Sequence, residues 1–482
     1  MSKQVLALCA ILTLVACAGL IPQASAAAAA SASIGDTSKG LGCDGLKTIE
    51  FSGSGNDFVI GQSGNPTLPW PKFIDKTYTR AIDFDGPASR MQRTRNQGEN
   101  PPRGGGQQPV IGDQQQNQVV AAGSPQAATL YDDLMMSLPC GFMKAAAAAK
   151  DTKTGSQSVA GKKYSTITFT AMNHAGTTGF VGSDGMLGMV RTKIDNTVLG
   201  DIPFETDYMD YKDFSGIKFP AHIVQKQGGY PVLDLTITSV KPNAPVTIGN
   251  APPPPPPPPA VTSEKLGEGV YFISGGYSAL AVDLKDYIVV VEGPQNDQRA
   301  MAIIEESKKL IPNKPIKYVI NTHHHFDHSG GLRAFVAEGA TVVTQKINEP
   351  YYKKVWSNPH TLAPDRLAMS PKKPTFKTVD EKLVMSGGDN TIEIYHQTNF
   401  GHNDGMLLVY LPKQKVLVEA DAFNPPPQPL TRTPATISPY TMSLWDNLDR
   451  LHLDVDRIIP IHYPADNRKT SIAELKTAVG KS

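Results

Sequence analysis

Pro252 to Pro259 is an unbroken run of eight prolines, and no other stretch restricts the chain as strongly. Proline fixes φ near about −65° and has no N–H, so such a run adopts polyproline II and joins neither a helix nor a central strand. At about 3.1 Å per residue it is a semi-rigid spacer of roughly 25 Å. It divides the 482-residue chain into a part upstream, residues 27–250, a Pro-rich linker, 251–261, and a part downstream, 262–482. Two folded domains also suit a length beyond the point at which single cores stop growing.

With 46 Lys+Arg against 45 Asp+Glu the net charge is +1, which argues against nucleic-acid binding through bulk charge. Residues 1–26 place a charged start before an apolar stretch from Val5 to Leu20, then Pro22 and Ala24-Ser25-Ala26. That is the order of an export signal, and it predicts a periplasmic or secreted protein. Leu14-Val15-Ala16-Cys17 also resembles a lipoprotein cleavage box, the alternative that would leave an acylated, membrane-anchored Cys17. Cys9 and Cys17 fall in this segment, so the mature chain keeps Cys43 and Cys140. One disulfide between them is open in an exported protein, since the sequence supplies no geometry. No cysteine follows Cys140, which excludes thiolate catalysis or a Cys-rich zinc site downstream.

Upstream of the prolines, Tyr164–Phe169, Phe204–Met209 and Val232–Thr238 alternate apolar and polar residues between Gly, Pro, Asn and Asp, the pattern of antiparallel strands. Leu130–Ala149 is the one helix-like stretch, interrupted at Pro139, and Gln97–Gln126, rich in Gln, Gly, Pro and Asn, reads as an irregular insertion. The expectation is a mainly antiparallel β domain with little helix. Its two histidines, His174 and His222, carry no ligand pattern. Tyr208–Val246 resembles, in strand rhythm only, the last strands of the outer-membrane lipoprotein carrier fold, a sheet that can hold an acyl chain.

Downstream, strand patterns at Val270–Ile273, Leu280–Leu284, Ile288–Val291 and Lys317–Asn321 surround a helical one at Arg299–Ile311, which predicts an α/β domain. The other nine of the eleven histidines lie here. His323, His325, Asp327 and His328 fall within six residues, after an apolar strand and before a helix, where side chains project from a rigid base. His323 and His325 share one side of an extended chain, and Asp327 and His328 follow as it turns. Neutral imidazoles with a carboxylate suit zinc, or iron or manganese, better than magnesium or calcium.

The spacing HxHxDH is that of the metallo-β-lactamase superfamily, and the further pieces stand in the family's order. Gly401-His402-Asn403-Asp404-Gly405 resembles its second metal motif, Ala420-Asp421-Ala422-Phe423 the segment with the bridging aspartate, and Ile458–Tyr463 the last motif with His462. The resemblance covers residues 264 to about 475. It implies a four-layer αββα fold holding two zinc ions, His323, His325 and His402 on one, Asp327, His328 and His462 on the other, Asp421 bridging, and Asp327 as catalytic proton shuttle. Two departures stand out. Glu292 occupies the place of the usual aspartate after the early strand, and Ala420 and Tyr463 replace common glycines.

What the resemblance implies is water attack on a small-molecule substrate. The family includes β-lactamases, thioesterases, lactonases, phosphodiesterases, nucleases and iron-dependent sulfur dioxygenases, so the fold does not name the bond. The dinuclear β-lactamases generally carry cysteine or a non-ligand at the bridging position, so Asp421 favours ester, lactone, thioester or related bonds. β-Lactam hydrolysis is the alternative, a mononuclear iron oxygenase the third reading, and a non-catalytic lipid- or ligand-binding envelope protein the reading of another class. Of the other histidines, His324 is expected to face away, His396 to support a ligand from outside or sit in a strand, and His360 and His452 to pack or lie at the surface. Gln345–Pro371 is expected to be a loop over the metals, and the sequence leaves the oligomeric state open.

Overall fold

The structure, a computed structural model, describes residues 33–98, 103–106, 109–124, 137–171, 175–250 and 261–481. The expected signal with Cys17, His174 and the proline run lie outside the described residues.

The upstream part is one eleven-stranded antiparallel sheet running from Thr48 to Pro242. Its order departs from a simple meander at one place, where the first strand, Thr48–Phe58, pairs with the last, Tyr230–Pro242. The strands read from alternation are present as Lys162–Thr170, Gly200–Phe214 and Tyr230–Pro242. Two short helices, Ile34–Leu41 and Pro139–Ala148, pack on one face, and Cys43 and Cys140 join them in a disulfide. Leu41, Leu46, Ile49, Phe142, Ile167 and Leu235 are buried in the core between helices and sheet.

Pro139 opens the helix Pro139–Ala148, its missing N–H falling where a first turn has no acceptor for it; the extended Leu138 separates that helix from a helical Ser137, and residues 130–136 of the helix-like stretch lie outside the described residues. One local expectation is corrected. Within the segment read as irregular, Gln114–Val120 is an edge strand beside Ala88–Gln97. The glutamines have poor strand propensity, but Arg95 Nε donates to Gln114 Oε1 at 2.9 Å and Arg93 Nε to Gln116 Oε1 at 2.7 Å. Such cross-strand pairs outweigh intrinsic preference.

The downstream part holds a seven-stranded sheet from Thr262 to Val379 and a six-stranded one from Lys382 to Ser471. Alternate residues of one strand enter different cores. Leu280 and Val282 face the core shared with the second sheet, and Ala279 and Ala281 face the helices Asp297–Leu310 and Leu332–Glu338. Both faces are therefore apolar, which explains the nearly continuous hydrophobic run Ile288–Val291. Val198, Leu199 and Ile202, from a turn of the upstream sheet, enter the same helical core. Asp201 accepts from Thr361 N at 2.8 Å, and its own N–H donates to Pro359 O at 2.8 Å. The two parts are thus joined by apolar and polar contacts.

Gln345–Pro371 is helical in part and not a loop throughout. It contains the helices Asn348–Val355 and Arg366–Met369, reaches the histidine motif through Tyr351, edge-on against His324 at 5.5 Å, and Tyr352, whose hydroxyl donates to Asn321 Oδ1 at 2.7 Å, and lines a cavity beside His324 and Phe326.

Candidate metal centre

The candidate ligands stand at the carboxyl ends of neighbouring strands, where an α/β sheet leaves a crevice. The strand Ile316–Ile320 runs into Asn321 and Thr322, the extended His323–His325, and one helical turn, Phe326–Ser329. Asn321 is fully buried and ties both ends of this loop, donating to His323 O at 2.6 Å and His328 O at 3.2 Å. Its Oδ1 accepts from Tyr352 OH at 2.7 Å. Asp421 follows the strand Val416–Glu419 with a left-handed φ of 57°, a conformation an aspartate tolerates but does not favour. Glu419 holds that turn, accepting at Oε2 from the N–H groups of Ala422 and Phe423, and burial pushes its carboxyl up to about 8.

The seven residues converge as two groups. His323, His325, His402 and Asp421 form one, and Asp327, His328 and His462 the other, with the ligand atoms of each group within 4.8 Å of one another. Asp421 lies between them. Its Oδ2 is 3.2 Å from His323 Nε2, 3.3 Å from His402 Nε2 and 2.9 Å from His328 Nε2, and its Oδ1 is 2.9 Å from His462 Nε2. Asp327 Oδ2 is 3.4 Å from His328 Nε2 and 3.5 Å from His462 Nε2. His325 Nδ1 and His402 Nε2 are buried and make no hydrogen bond. Buried polar atoms without partners are costly, so lone pairs aimed into one space fit a cation.

Charge points the same way. Burial, then the His328 charge, lowers His323 to about 3, and burial holds His325 far below its ordinary value. These imidazoles are neutral, as metal ligation requires. Burial opposes charge on His328 and His462 too, but Asp327 and Asp421 outweigh it for His328, as Asp421 and the bond to Asp327 do for His462, and raise both. Burial likewise opposes ionisation of Asp421, yet the imidazoles around it hold it well below the carboxylate range. A buried carboxylate, Asp421, and a partly buried one, Asp327, among imidazoles therefore draw positive charge, as protons or as metal.

Around the ligands, Glu292 takes the position read from the sequence. Its Oε2 accepts from Thr322 Oγ1 at 2.5 Å and lies 3.5 Å from His328 Nδ1. Sequence reasoning missed Tyr277, whose hydroxyl donates to Asp327 Oδ2 at 3.0 Å and whose ring stands 4.5 Å from that of His462. It also missed Gln62 and Ser63, which reach the centre from the upstream sheet. His324 faces away, bonded to Ser63 Oγ at 3.0 Å and Asn403 Nδ2 at 3.0 Å. His396 Nε2 is 2.9 Å from Asp404 O, His360 is buried, and His452 caps a helix at φ 52°. Tyr463 packs on Phe272, with ring centroids 4.8 Å apart. The side chain of Asp327 keeps 25% of its exposure and His462 10%, against 0–2% for His323, His328, His402 and Asp421, so the centre opens on the Asp327 side.

Residues 288–462 match the metallo-beta-lactamase superfamily. They form a domain of that superfamily. Curated relatives are a metallo-beta-lactamase type 2 from Elizabethkingia meningoseptica, 27% identical over 167 residues, 33% of this chain and 60% of that protein. A hydroxyacylglutathione hydrolase from Pelagibacter ubique (strain HTCC1062) is 33% identical over 75 residues, 15% of this chain and 29% of that one. The chain thus covers less than two thirds of either relative. Among solved structures, a metallo-beta-lactamase from Pontibacter korlensis is 17% identical with a TM-score of 0.35, over 45% of this chain and 96% of that one.

Proposed function

We propose that the protein is a metal-dependent hydrolase with two ions, one in each ligand group, shared through Asp421. The observation that carries this reading is the placement of Asp421, with imidazoles of both groups within 3.3 Å of its carboxylate oxygens. His323, His325 and His402 would hold one ion, Asp327, His328 and His462 the other, and the nitrogen-rich donor set suits zinc, with iron or manganese as alternatives. Bound there, the ions would lower the pKa of water toward neutrality and polarise the substrate's carbonyl or phosphoryl oxygen. Asp327 is the partly exposed carboxylate of the centre. The His328 charge and the hydrogen bonds from His328 and His462 outweigh the burial that opposes its ionisation, and a bound cation would act in the same direction, so it is placed to take a proton from attacking water and pass it to the leaving group. Tyr277 and Gln62 hold one oxygen each of that carboxylate.

Asp421 favours ester, lactone, thioester or related bonds in a small molecule, and the relative named a hydroxyacylglutathione hydrolase supports that side. The relative named a metallo-beta-lactamase keeps β-lactam hydrolysis as the second reading. The layer order we propose is helix, sheet, sheet, helix, with Pro439–Leu451 and Ile472–Val479 outside the six-stranded sheet. Export to the periplasm or beyond is supported by the signal pattern of residues 1–26 and by the Cys43–Cys140 disulfide, a bond that persists in oxidising compartments.

The test is hydrolysis of aryl esters, lactones, thioesters, phosphodiesters and a chromogenic cephalosporin by the zinc-loaded chain from Ala27 onward, beside His323→Ala and Asp421→Ala. Zinc-dependent turnover that both variants lose is expected, and the preferred bond decides between ester-type and β-lactam chemistry. Full zinc occupancy without turnover of any bond would overturn the reading.

A further inference from the structure

The ligands of a metallo-beta-lactamase domain come from its own strand ends, and here all seven lie between His323 and His462. Two of them are nevertheless held from the other domain. The segment 59–71, between the strands Thr48–Phe58 and Lys72–Asp83 of the eleven-stranded sheet, lies against the histidine motif. Its backbone is bonded on both sides. Val59 N donates to Pro71 O at 3.0 Å and Gly105 N to Gln62 O at 3.0 Å within its own domain, while Phe326 N reaches Gly61 O at 3.3 Å and Asp404 N reaches Gly64 O at 2.8 Å from the other.

Held in this way, the segment makes one contact with each ligand group. The Ser63 carbonyl lies 2.8 Å from His325 Nε2. A carbonyl only accepts, so Nε2 carries the proton and Nδ1, which makes no hydrogen bond, presents its lone pair to the first group. The Gln62 side-chain amide donates to Asp327 Oδ1 at 2.9 Å. Asp327 Oδ2, which accepts from Tyr277 OH at 3.0 Å, is the oxygen 3.4 Å from His328 Nε2 and 3.5 Å from His462 Nε2 and faces the second group. Outer partners of this kind fix the tautomer and direction of metal ligands.

We propose that the eleven-stranded domain completes the metal centre, with Gln62 the positioning residue for Asp327 and the Ser63 carbonyl the positioning group for His325. The proposal rests on the reading that these groups hold metal. It deepens that reading by making the centre a product of both domains, with the second site dependent on a side chain 265 residues away from its ligand. It also gives the upstream domain a role at the centre that does not require it to bind lipid.

Gln62→Met keeps the length and shape of the side chain and removes the amide donor. Zinc is titrated into the full chain, with wild type, Gln62→Met, Gln62→Ala and the surface control Thr67→Ala from the same segment compared by calorimetry, and cobalt spectra recorded for each. Folding is checked by circular dichroism, where Gln62→Met is expected to match wild type. Wild type and Thr67→Ala should take up two ions alike. Both Gln62 variants should bind the second about 10–100-fold more weakly, with the first affinity kept within about threefold and the cobalt bands of the second site altered. A Gln62→Met chain that titrates like wild type, with two ions of unchanged affinity and an unchanged cobalt spectrum, would overturn the proposal. A wild-type chain that takes up no metal would overturn the metal reading beneath it, so the two failures are told apart by the wild-type titration alone.

Discussion

Gly61→Ala is the sharpest test of how tightly the two domains fit at the histidine motif. Gly61 has φ of +74°, and a Cβ built on it would meet Phe326 Cγ at 2.3 Å, Cδ2 at 2.5 Å and Cδ1 at 2.7 Å. The left-handed backbone costs an alanine about 1–2 kcal/mol. Forcing a methyl group into a packed contact adds about 1–3 kcal/mol, so the loss is roughly 2–5 kcal/mol. For a domain of this size, at about 2–4 °C per kcal/mol, the melting temperature should fall by roughly 4–20 °C. Phe326 stands between His325 and Asp327, so a displaced ring also moves a residue of each ligand group. Gly64 supplies the control, since the nearest atoms to a Cβ there belong to the Arg103 side chain, Nε at 3.5 Å first, an ordinary contact. Calorimetric melting and zinc titration of both variants decide it. Gly61→Ala with the melting temperature and zinc binding of Gly64→Ala would refute the close approach on which the joint centre depends.

Reduction of the Cys43–Cys140 bond, or Cys140→Ser, opens a loop of 97 residues and should destabilise the upstream domain by up to about 4–5 kcal/mol on loop entropy, read as a fall in denaturant midpoint; an unchanged midpoint would refute it. Asp75 is buried, and burial with the nearby Asp57 charge raises its carboxyl to about 6 despite Arg93 and Arg95. The folded chain binds that proton more tightly than the unfolded one, so stability present below about pH 4 is lost as pH rises to about 6. Asp75→Asn should therefore match wild type near pH 4 and be more stable above pH 7 by about 1–3 kcal/mol. The upper bound follows from a carboxyl raised from 3.8 to about 6, and the lower from the lost Arg93 contact at 3.6 Å. Denaturant midpoints of the metal-free chain at pH 4 and 8 measure the difference, and equal midpoints at pH 8 would sink it.

The ligands were legible because four of them crowd into six residues and the others sit in short motifs at strand ends, which the α/β periodicity had placed. What could not be read is what reaches them from far along the chain. Gln62 and Ser63 stand in a segment with no periodicity, and their partners lie 265 and 262 residues away. Tyr277, 50 residues before Asp327, has no motif either. The glutamine-rich edge strand was hidden because its stability comes from arginines on a neighbouring strand, and the helix Asn348–Val355 because Tyr352 is fixed by a buried Asn321, a tertiary cause. Local pattern identified ligands and missed the residues that aim them.

The division between those two kinds of residue follows from energetics. Val198, Leu199 and Ile202 of the upstream sheet lie in the helical core of the metal-binding domain, and burying each aliphatic side chain is worth about 1.5–3 kcal/mol. The hydrogen bonds at Gly61, Gln62, Ser63 and Gly64 contribute only about 0.5–1.5 kcal/mol each, net of water. The apolar side chains of the turn thus supply adhesion at least comparable to those bonds and without direction, while Asp201 in the same turn is bonded to Thr361 and Pro359. Hydrogen bonds do not tolerate a small slide, because a shift of an ångström would take Ser63 O and Asp327 Oδ1 away from their present partners. At the metal centre itself, aim is carried by the polar contacts of the segment 59–71. The roof over the metal centre could change its polar residues, and with them the reach of the site, without the domains coming apart.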